Sequence, residues 1–260
     1  MTAGITLNSI IPIRKEASHK SEMVSQLLFG ETYQILDKYQ GWLEIESNHD
    51  QYPGYINQDM SAILTPDDFE KINQEEAPVM LGELIETVTE AESGQTLNLV
   101  AGSMLPFFNH DSFLFGPENN KYKAGHLVKS FLPDFNKPEK ILSIYLNAPY
   151  LWGGRSPFGI DCSGLVQILY KSWGILLPRD ASQQVEKGKT LSFLDEADPG
   201  DLAFFDNEEG QITHVGIILE NSRILHASGR VRIDKLDHQG IYNKDLDKYT
   251  HKLRVLKRIK

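Results

Sequence analysis

Ile160-Asp161-Cys162-Ser163-Gly164-Leu165-Val166 holds the one cysteine of this 260-residue chain, and the fold turns on how that stretch is read. Downstream of it, Leu165, Ile168, Leu169, Ser172 and Trp173 recur at i, i+3, i+4, i+7 and i+8, the spacing of one face of an amphipathic helix. Gly174 is placed to end that helix. Cys162 therefore stands at a helix start, where unpaired N–H groups and the helix dipole favour a thiolate and are expected to lower the thiol pKa. The plainer reading is a buried, inert cysteine. A single cysteine also excludes an intrachain disulfide and any cysteine-rich metal cluster.

A thiol nucleophile needs a base, and the base needs something to orient it. Ile212-Thr213-His214-Val215-Gly216-Ile217 and Ile224-Leu225-His226-Ala227-Ser228-Gly229 read as two strands joined through Glu220-Asn221-Ser222. The hairpin would bring His214 and His226 together, one as base and the other fixing its tautomer. A strict two-residue turn at Asn221-Ser222 sets 214 opposite 229 and puts the two imidazoles on opposite faces. A longer turn or a bulge is needed to reunite them. Two structural histidines, or a Cys/His/His zinc site, are the other readings; the lack of further cysteines and of a close ligand pair speaks against zinc.

Around this centre, Glu139 to Asn147 has a helical face at Ile141, Leu142, Ile144 and Tyr145, and Asp180 with Gln183 forms a capping-box pattern at a third helix start. After Asp198-Pro199-Gly200-Asp201 the pattern turns to strands at 202–205, 215–219 and 223–226, with Asp201 expected to stabilise the turn rather than to act in catalysis. Helices first and strands later give an α+β domain over 137–260. Leu132-Pro133-Asp134-Phe135-Asn136-Lys137-Pro138 reads as the linker before it. Upstream, short strands at 27–29, 33–36, 42–45 and 52–56 suggest a small β-barrel over 1–65, with a helical connector from Pro66 to Gln74. Strands at 84–88, 96–100, 104–108 and 112–115 suggest a second small β domain over 76–132.

The chain carries 26 Lys+Arg against 36 Asp+Glu, a formal charge of −10. Residues 1–75 hold 5 basic and 12 acidic side chains, residues 76–136 hold 3 and 8, and residues 137–260 hold 18 and 16. Two acidic β regions thus precede a nearly neutral domain. The acidic balance argues against nucleic-acid or anionic-membrane partners. The N-terminus has no basic segment followed by an apolar run, and no stretch has the ~20 apolar residues of a membrane span. A cytoplasmic protein is the expectation.

Pro149-Tyr150-Leu151-Trp152-Gly153-Gly154, Asp161-Cys162-Ser163-Gly164-Leu165-Val166, Leu177-Pro178-Arg179-Asp180-Ala181-Ser182-Gln183-Gln184, Asp198-Pro199-Gly200-Asp201-Leu202-Ala203-Phe204-Phe205, and the two histidine blocks occur in that order over about 120 residues. Together they resemble the NlpC (p-sixty) family of papain-like cysteine peptidases, which cut bacterial cell-wall peptides. The resemblance implies Cys162 as nucleophile, His214 as base, His226 as its orienting partner and Tyr150 on the oxyanion side. It implies no metal or organic cofactor.

Members with two bacterial SH3-like domains before the peptidase form a subgroup of γ-D-glutamyl-L-diamino-acid endopeptidases. Their substrates are peptidoglycan stem peptides with a free N-terminal L-Ala, met in murein recycling. That likeness implies substrate contacts from Asp161, Ser163 and Trp152, and from Glu22 and Tyr52 of the first β domain. Tyr55 follows Pro53-Gly54 where such sequences usually carry Trp. Arg179, Asp180, Ser182 and Gln183 fall in a block that often rims the cleft, with Asp180 also readable as a helix cap alone. The implied protein is a monomer acting on peptides. The rival readings are a non-catalytic wall-peptide binder and a thiol amidase or acyltransferase of the same fold.

Overall fold

The computed structural model describes residues 2–75, 79–108, 112–115, 120–124 and 139–259. The expected linker at 132–138 lies outside them. Two compact units divide the chain: Met1–Pro133 with Trp152–Pro157, and Asp134–Leu151 with Phe158–Lys260. The six residues from Trp152 to Pro157 thus group with the first unit although they interrupt the second in sequence.

The first unit opens with β1 (Thr2–Ile5), β2 (Ile10–Arg14), β3 (Met23–Leu28), β4 (Thr32–Tyr39), β5 (Trp42–Ser47), β6 (Pro53–Asn57) and β7 (Ala62–Leu64), hydrogen-bonded in the order β3-β2-β6-β5-β4-β1-β7. Gln40 and Gly41 have φ of 47° and 83° between the paired Tyr39 and Trp42. That is the doubly left-handed geometry a two-residue hairpin favours. Ile11, Ile13, Leu27, Leu43, Ile45 and Ile56 fill the barrel. Then α1 (Pro66–Asn73) begins with Thr65 as N-cap, its side chain accepting from the Asp68 N–H at 3.1 Å.

The strands that follow are β8 (Val79–Met80), β9 (Ile85–Glu90), β10 (Thr96–Val100), β11 (Met104–Leu105), β12 (Ser112–Phe115) and β13 (Asn120–Ala124). They form a four-stranded sheet, β10-β9-β13-β12, and a β11-β8 pair. This part shares a core with the barrel, since Ile5, Phe29 and Leu64 pack with Val88, Leu99 and Tyr122. The Met104 N–H donates to the Phe29 carbonyl at 2.8 Å. A side chain at Gly30 (φ +81°) would bring its Cβ to 2.2 Å from the Met104 carbonyl oxygen. Two ~60-residue β segments are marginal alone, and the shared core meets that difficulty.

A short strand β14 (Arg155–Ser156) lies in the Trp152–Pro157 segment. Arg155 is fully buried and sends Nη1 and Nη2 to the Glu31 carboxylate at 2.7 and 2.9 Å, with Nη1 also on the Gln26 carbonyl at 2.7 Å. At Gly153 (φ +76°) a Cβ would lie 2.4 Å from the Met23 carbonyl oxygen. The segment is therefore bolted to the first unit by an ion pair with Glu31, in the turn after β3, and by a close backbone approach to β3 itself.

The second unit contains α2 (Glu139–Tyr145), β15 (Gly159–Ile160), α3 (Cys162–Ser172), α4 (Ala181–Gln184), β16 (Lys189–Leu191), β17 (Leu202–Asp206), β18 (Ile212–Leu219), β19 (Arg223–Ser228), β20 (Arg230–Asp237), β21 (Gly240–Asn243) and β22 (Lys248–Arg258). Its sheet runs β16-β22-β17-β18-β19-β20-β21, and β21 also pairs with β22. Six strands therefore close on themselves. The Cys162–Tyr170 run of α3 is buried without a break, the mark of a helix enclosed on all sides. It packs on β18 and β19. Among the described residues no helix is long and apolar enough to cross a membrane.

Candidate active site

Cys162 is the first residue of α3, and Asp161 is its N-cap, with Oδ1 accepting from the Gly164 N–H at 2.7 Å. Arg179, 1 % exposed, donates from Nη1 to Oδ1 at 3.0 Å and from Nη2 to Oδ2 at 2.5 Å. Arg179 Nη1 also donates to Ser163 Oγ at 2.8 Å, and that hydroxyl donates to Asp161 Oδ1 at 3.2 Å. Gln184 donates from Nε2 to the Ser163 and Pro178 carbonyls at 3.1 and 2.9 Å. Gln167 ties the Leu177 carbonyl to α3 at 2.9 Å. The Leu177–Gln184 block thus locks the helix end that carries the nucleophile. Asp180 caps α4, and its N–H donates to Gln183 Oε1 at 3.2 Å. Asp201 accepts from the Asp198 N–H at 2.8 Å, which holds the turn, and from Arg258 Nη2 at 2.7 Å, which ties the turn to β22.

Burial pushes the Cys162 thiol up to about 12, and the Asp161 charge adds to the rise. The Val215 and Ser163 N–H groups on the thiol and the Arg179 charge oppose it and lose. The expected depression of the thiol pKa at a helix start is therefore corrected: desolvation outweighs the helix-end donors. The Val215 N–H contact places the sulfur beside the residue that follows His214.

His214 and His226 share one face. Leu219 pairs with Arg223 and Gly216 with His226, so three residues, Glu220 to Ser222, form the turn. Asn221 and Ser222 take φ of 59° and 53°. The extra residue moves the register by one step and resolves the parity problem of a two-residue turn. His214 Nε2 lies 2.9 Å from His226 Nδ1. Burial pushes His214 well below the ordinary histidine value, with His251 and His226 adding to the effect. Gly216 is required between them: a Cβ there would meet Ile224 Cδ1 at 2.7 Å and the Leu225 carbonyl oxygen at 2.9 Å.

Tyr150 bridges to Ile160 in parallel, and its N–H donates to the Gly229 carbonyl at 3.0 Å. Its phenol is pushed up to about 12, first by burial and then by the charges of Cys162 and Asp161. It thus stays a proton donor within electrostatic reach of the sulfur. In the first unit, Trp152 donates its indole Nε1–H to Glu22 Oε1 at 2.7 Å, and Lys15 Nζ lies 3.5 Å from Glu22 Oε2. Tyr52 sits just before β6, its N–H donating to Asp50 Oδ1 at 3.2 Å.

Three groups beyond the sequence reading join the histidines. His226 Nε2 lies 3.1 Å from Asp234 Oδ2. Arg232 places Nε 2.7 Å from that oxygen and donates from Nη2 to Oδ1 at 2.9 Å. His251 of β22 stacks on His214 with centroids 4.1 Å apart and planes at 24°. Burial and the nearby His226 push it down to about 4, against the pull of Asp234. The nitrogens of His214, His226 and His251 lie within 4.8 Å of one another. The rings of His214 and His251 are stacked, and both His226 nitrogens are engaged, by His214 and Asp234. The cluster is built as a hydrogen-bonded relay rather than a ligand cage. Val231-Arg232-Ile233-Asp234 alternates directly after Gly229, the one available signal for Asp234. His251 has no local signal.

A cysteine heading an enclosed helix, with a histidine pair on the adjoining strands of an antiparallel sheet, defines a papain-like thiol-hydrolase fold. Residues 147–250 match the NlpC/P60 family, and residues 13–59 match the bacterial dipeptidyl-peptidase SH3 domain. The chain carries an NlpC/P60 domain preceded by an SH3-like β domain. It is 45% identical over 87 residues to the γ-D-glutamyl-L-lysine dipeptidyl-peptidase of Bacillus subtilis (strain 168), covering 33% of this chain and 29% of that protein. It is 28% identical to dipeptidyl-peptidase 6 of Lysinibacillus sphaericus, covering 94% of this chain and 95% of that one. In fold it matches an NlpC/P60 family protein from Bacillus cereus ATCC 10987 with a TM-score of 0.82, at 18% identity and over 99% of both chains.

Proposed function

We propose that the protein is a cysteine endopeptidase that hydrolyses the γ-D-glutamyl–diamino acid bond of peptidoglycan stem peptides bearing a free N-terminal L-Ala. The observation that carries the reading is the buried Cys162 thiol held by the N–H of Val215, the residue after a buried His214 whose Nε2 is taken by His226. The names of the curated relatives support the bond type. His214 keeps Nδ1 for the thiol proton. As that proton moves to Nδ1, Sγ attacks the γ-glutamyl carbonyl, and N–H groups at the start of α3 together with the Tyr150 phenol stabilise the oxyanion. The imidazolium then gives the proton to the departing amine, leaving a thioester. Water, deprotonated by His214, cleaves the thioester and restores the thiol.

Asp161 is already balanced by Arg179, so an ammonium group would share a carboxylate whose charge is neutralised. Glu22, held by Trp152, is the further anion that the resemblance assigns to the amine. In this reading two SH3-like domains precede the peptidase, and the protein is a cytoplasmic monomer working on released wall fragments. The test is incubation with L-Ala-γ-D-Glu-diaminopimelate and its N-acetylated form, with products identified by mass spectrometry. Cleavage of the free peptide at the γ-glutamyl bond, lost in Cys162→Ala, is the expected result. Equal rates on blocked and free peptides would overturn the amine requirement, and turnover by Cys162→Ala would overturn the mechanism.

A further inference from the structure

The His214–His226 pair needs a defined direction. Each neutral imidazole has one N–H and one lone pair, and a hydrogen bond between two imidazoles can run either way. Only one direction leaves His214 Nδ1 unprotonated. Nothing within the pair decides which; the groups behind His226 do.

Asp234 lies on β20, where Ile224 pairs with Asp234 and His226 with Arg232. It is thus diagonal to His226 on the same face of the sheet, within reach of an imidazole. His214, His226 and Asp234 occupy three neighbouring strands, and all are buried, at 6, 1 and 8 % exposure. Arg232, which can only donate, sits on both carboxylate oxygens. Its other partner is Asp245, at 3.0 Å. Burial raises the Asp234 pKa, but the hydrogen bonds from His226 and Arg232 outweigh it and hold the group below the ordinary value. An ionised carboxylate only accepts, so His226 Nε2 must carry the proton it shares with Asp234 Oδ2. His226 Nδ1 then accepts from His214 Nε2–H, and the lone pair on His214 falls on Nδ1.

We propose that Asp234, anchored by Arg232, is a positioning residue that fixes the tautomers of His226 and His214 and so gives the base its working direction. This rests on the peptidase reading of Cys162 and His214 for its consequence, though not for its geometry. The charged and titratable groups around the relay are His214 on β18, Arg232 on β20, Asp245 in the connection between β21 and β22, and His251 on β22. Arg232 is committed to carboxylates and His251 is neutral at pH 7, so Asp234 is the anion that His226 meets.

The experiment reads tautomers and rates separately. Histidine 15N NMR of the full wild-type chain should show His214 and His226 both protonated at Nε2 near pH 7. A proton on Nδ1 of His226 would overturn the proposal without reference to activity. In Asp234→Asn, the amide oxygen satisfies Arg232 and the amide nitrogen turns toward His226, which reverses or mixes the tautomers. On L-Ala-γ-D-Glu-diaminopimelate, kcat should fall roughly 10²-fold or more with KM little changed, as when a triad carboxylate becomes an amide. The acid limb of kcat/KM should move to lower pH, since an imidazolium that has lost its carboxylate is harder to form. Tautomers and pH profile unchanged in a folded Asp234→Asn would overturn the proposal. If that variant does not fold, the wild-type spectrum still decides. Absence of wild-type turnover, with the tautomers as stated, would overturn the peptidase reading and leave this one standing.

Discussion

Arg179 grips both carboxylate oxygens of Asp161, at 3.0 and 2.5 Å, with neither side chain exposed beyond 6 %. The pair sits at the N-terminus of α3, so the charge that caps the helix is held from a loop 18 residues downstream. Removing one partner of a buried ion pair leaves an uncompensated charge in low dielectric and costs about 3–5 kcal/mol. Arg179→Ala should lower stability by that amount, read as a shift of the urea midpoint at constant slope. Arg179→Lys should cost less but still lose the two-pronged contact. An unchanged midpoint in Arg179→Ala would show that the pair does not hold the helix end.

The resting thiol and its base should both be neutral. Burial raises the Cys162 pKa to about 12 and lowers that of His214. An ion pair would need the reverse order. The rate of Cys162 alkylation by iodoacetamide should therefore be low at pH 7 and climb steadily into the alkaline range. A fast, pH-independent rate between pH 5 and 8 would show a preformed thiolate and contradict the burial argument.

His251 links pH to stability. Its folded pKa of about 4 lies below the ordinary imidazole value of 6.5, so the folded state binds fewer protons than the unfolded chain between those values. The stabilisation from keeping this ring neutral is fully present above pH 6.5 and is lost as the pH falls toward 4. His214, depressed in the same direction, adds to the loss. Thermal melts should show a falling Tm across that window, less steep in His251→Phe, which keeps the stack on His214 without the titration. Identical slopes in the two proteins would remove His251 from the account.

What could be read from the sequence follows from how local each signal is. The α3 helix and the α4 capping box rest on contacts within four residues, and both lie where the spacing predicts them; the Asp161 cap on α3 is as local, but it emerges only from the structure. Tyr39 to Trp42 is a two-residue turn that Gly41 announces. Asp234 and His251 depend on register across three or more strands. A register across a turn is not written in either strand alone, and the pattern of residues 230–258 does not divide by itself into β20, β21 and β22. Thiol ionisation departs from the sequence expectation for a related reason: the helix start is visible in sequence, but the burial that outweighs it is a property of the whole domain.

The three-residue turn Glu220-Asn221-Ser222 gives a direct test of register. Leu219 pairs with Arg223 and Gly216 with His226, which places position 228 opposite His214 and keeps both histidines on one face. Deleting Ser222 leaves Glu220 and Asn221 to join the same Leu219–Arg223 pair and keeps the register. Deleting Ile224 keeps the three-residue turn and slips the rest of β19 by one residue, which turns its side chains to the opposite face. His226 would then face Ile217 and lose both His214 and Asp234, with Ala227 in its place. The Ile224 deletion should lose nearly all peptidase turnover and drop by several kcal/mol in stability, since a buried imidazole network is broken and an apolar face is exposed. Ser222→Gly, at φ 53°, keeps the turn length and relieves a left-handed residue. It should keep wild-type activity and gain about 0.5–1 kcal/mol. Parallel urea titrations and rates on the Ile224 deletion and Ser222→Gly separate register from backbone strain; equal behaviour of the two would show that the β18–β19 register does not set the histidine pairing.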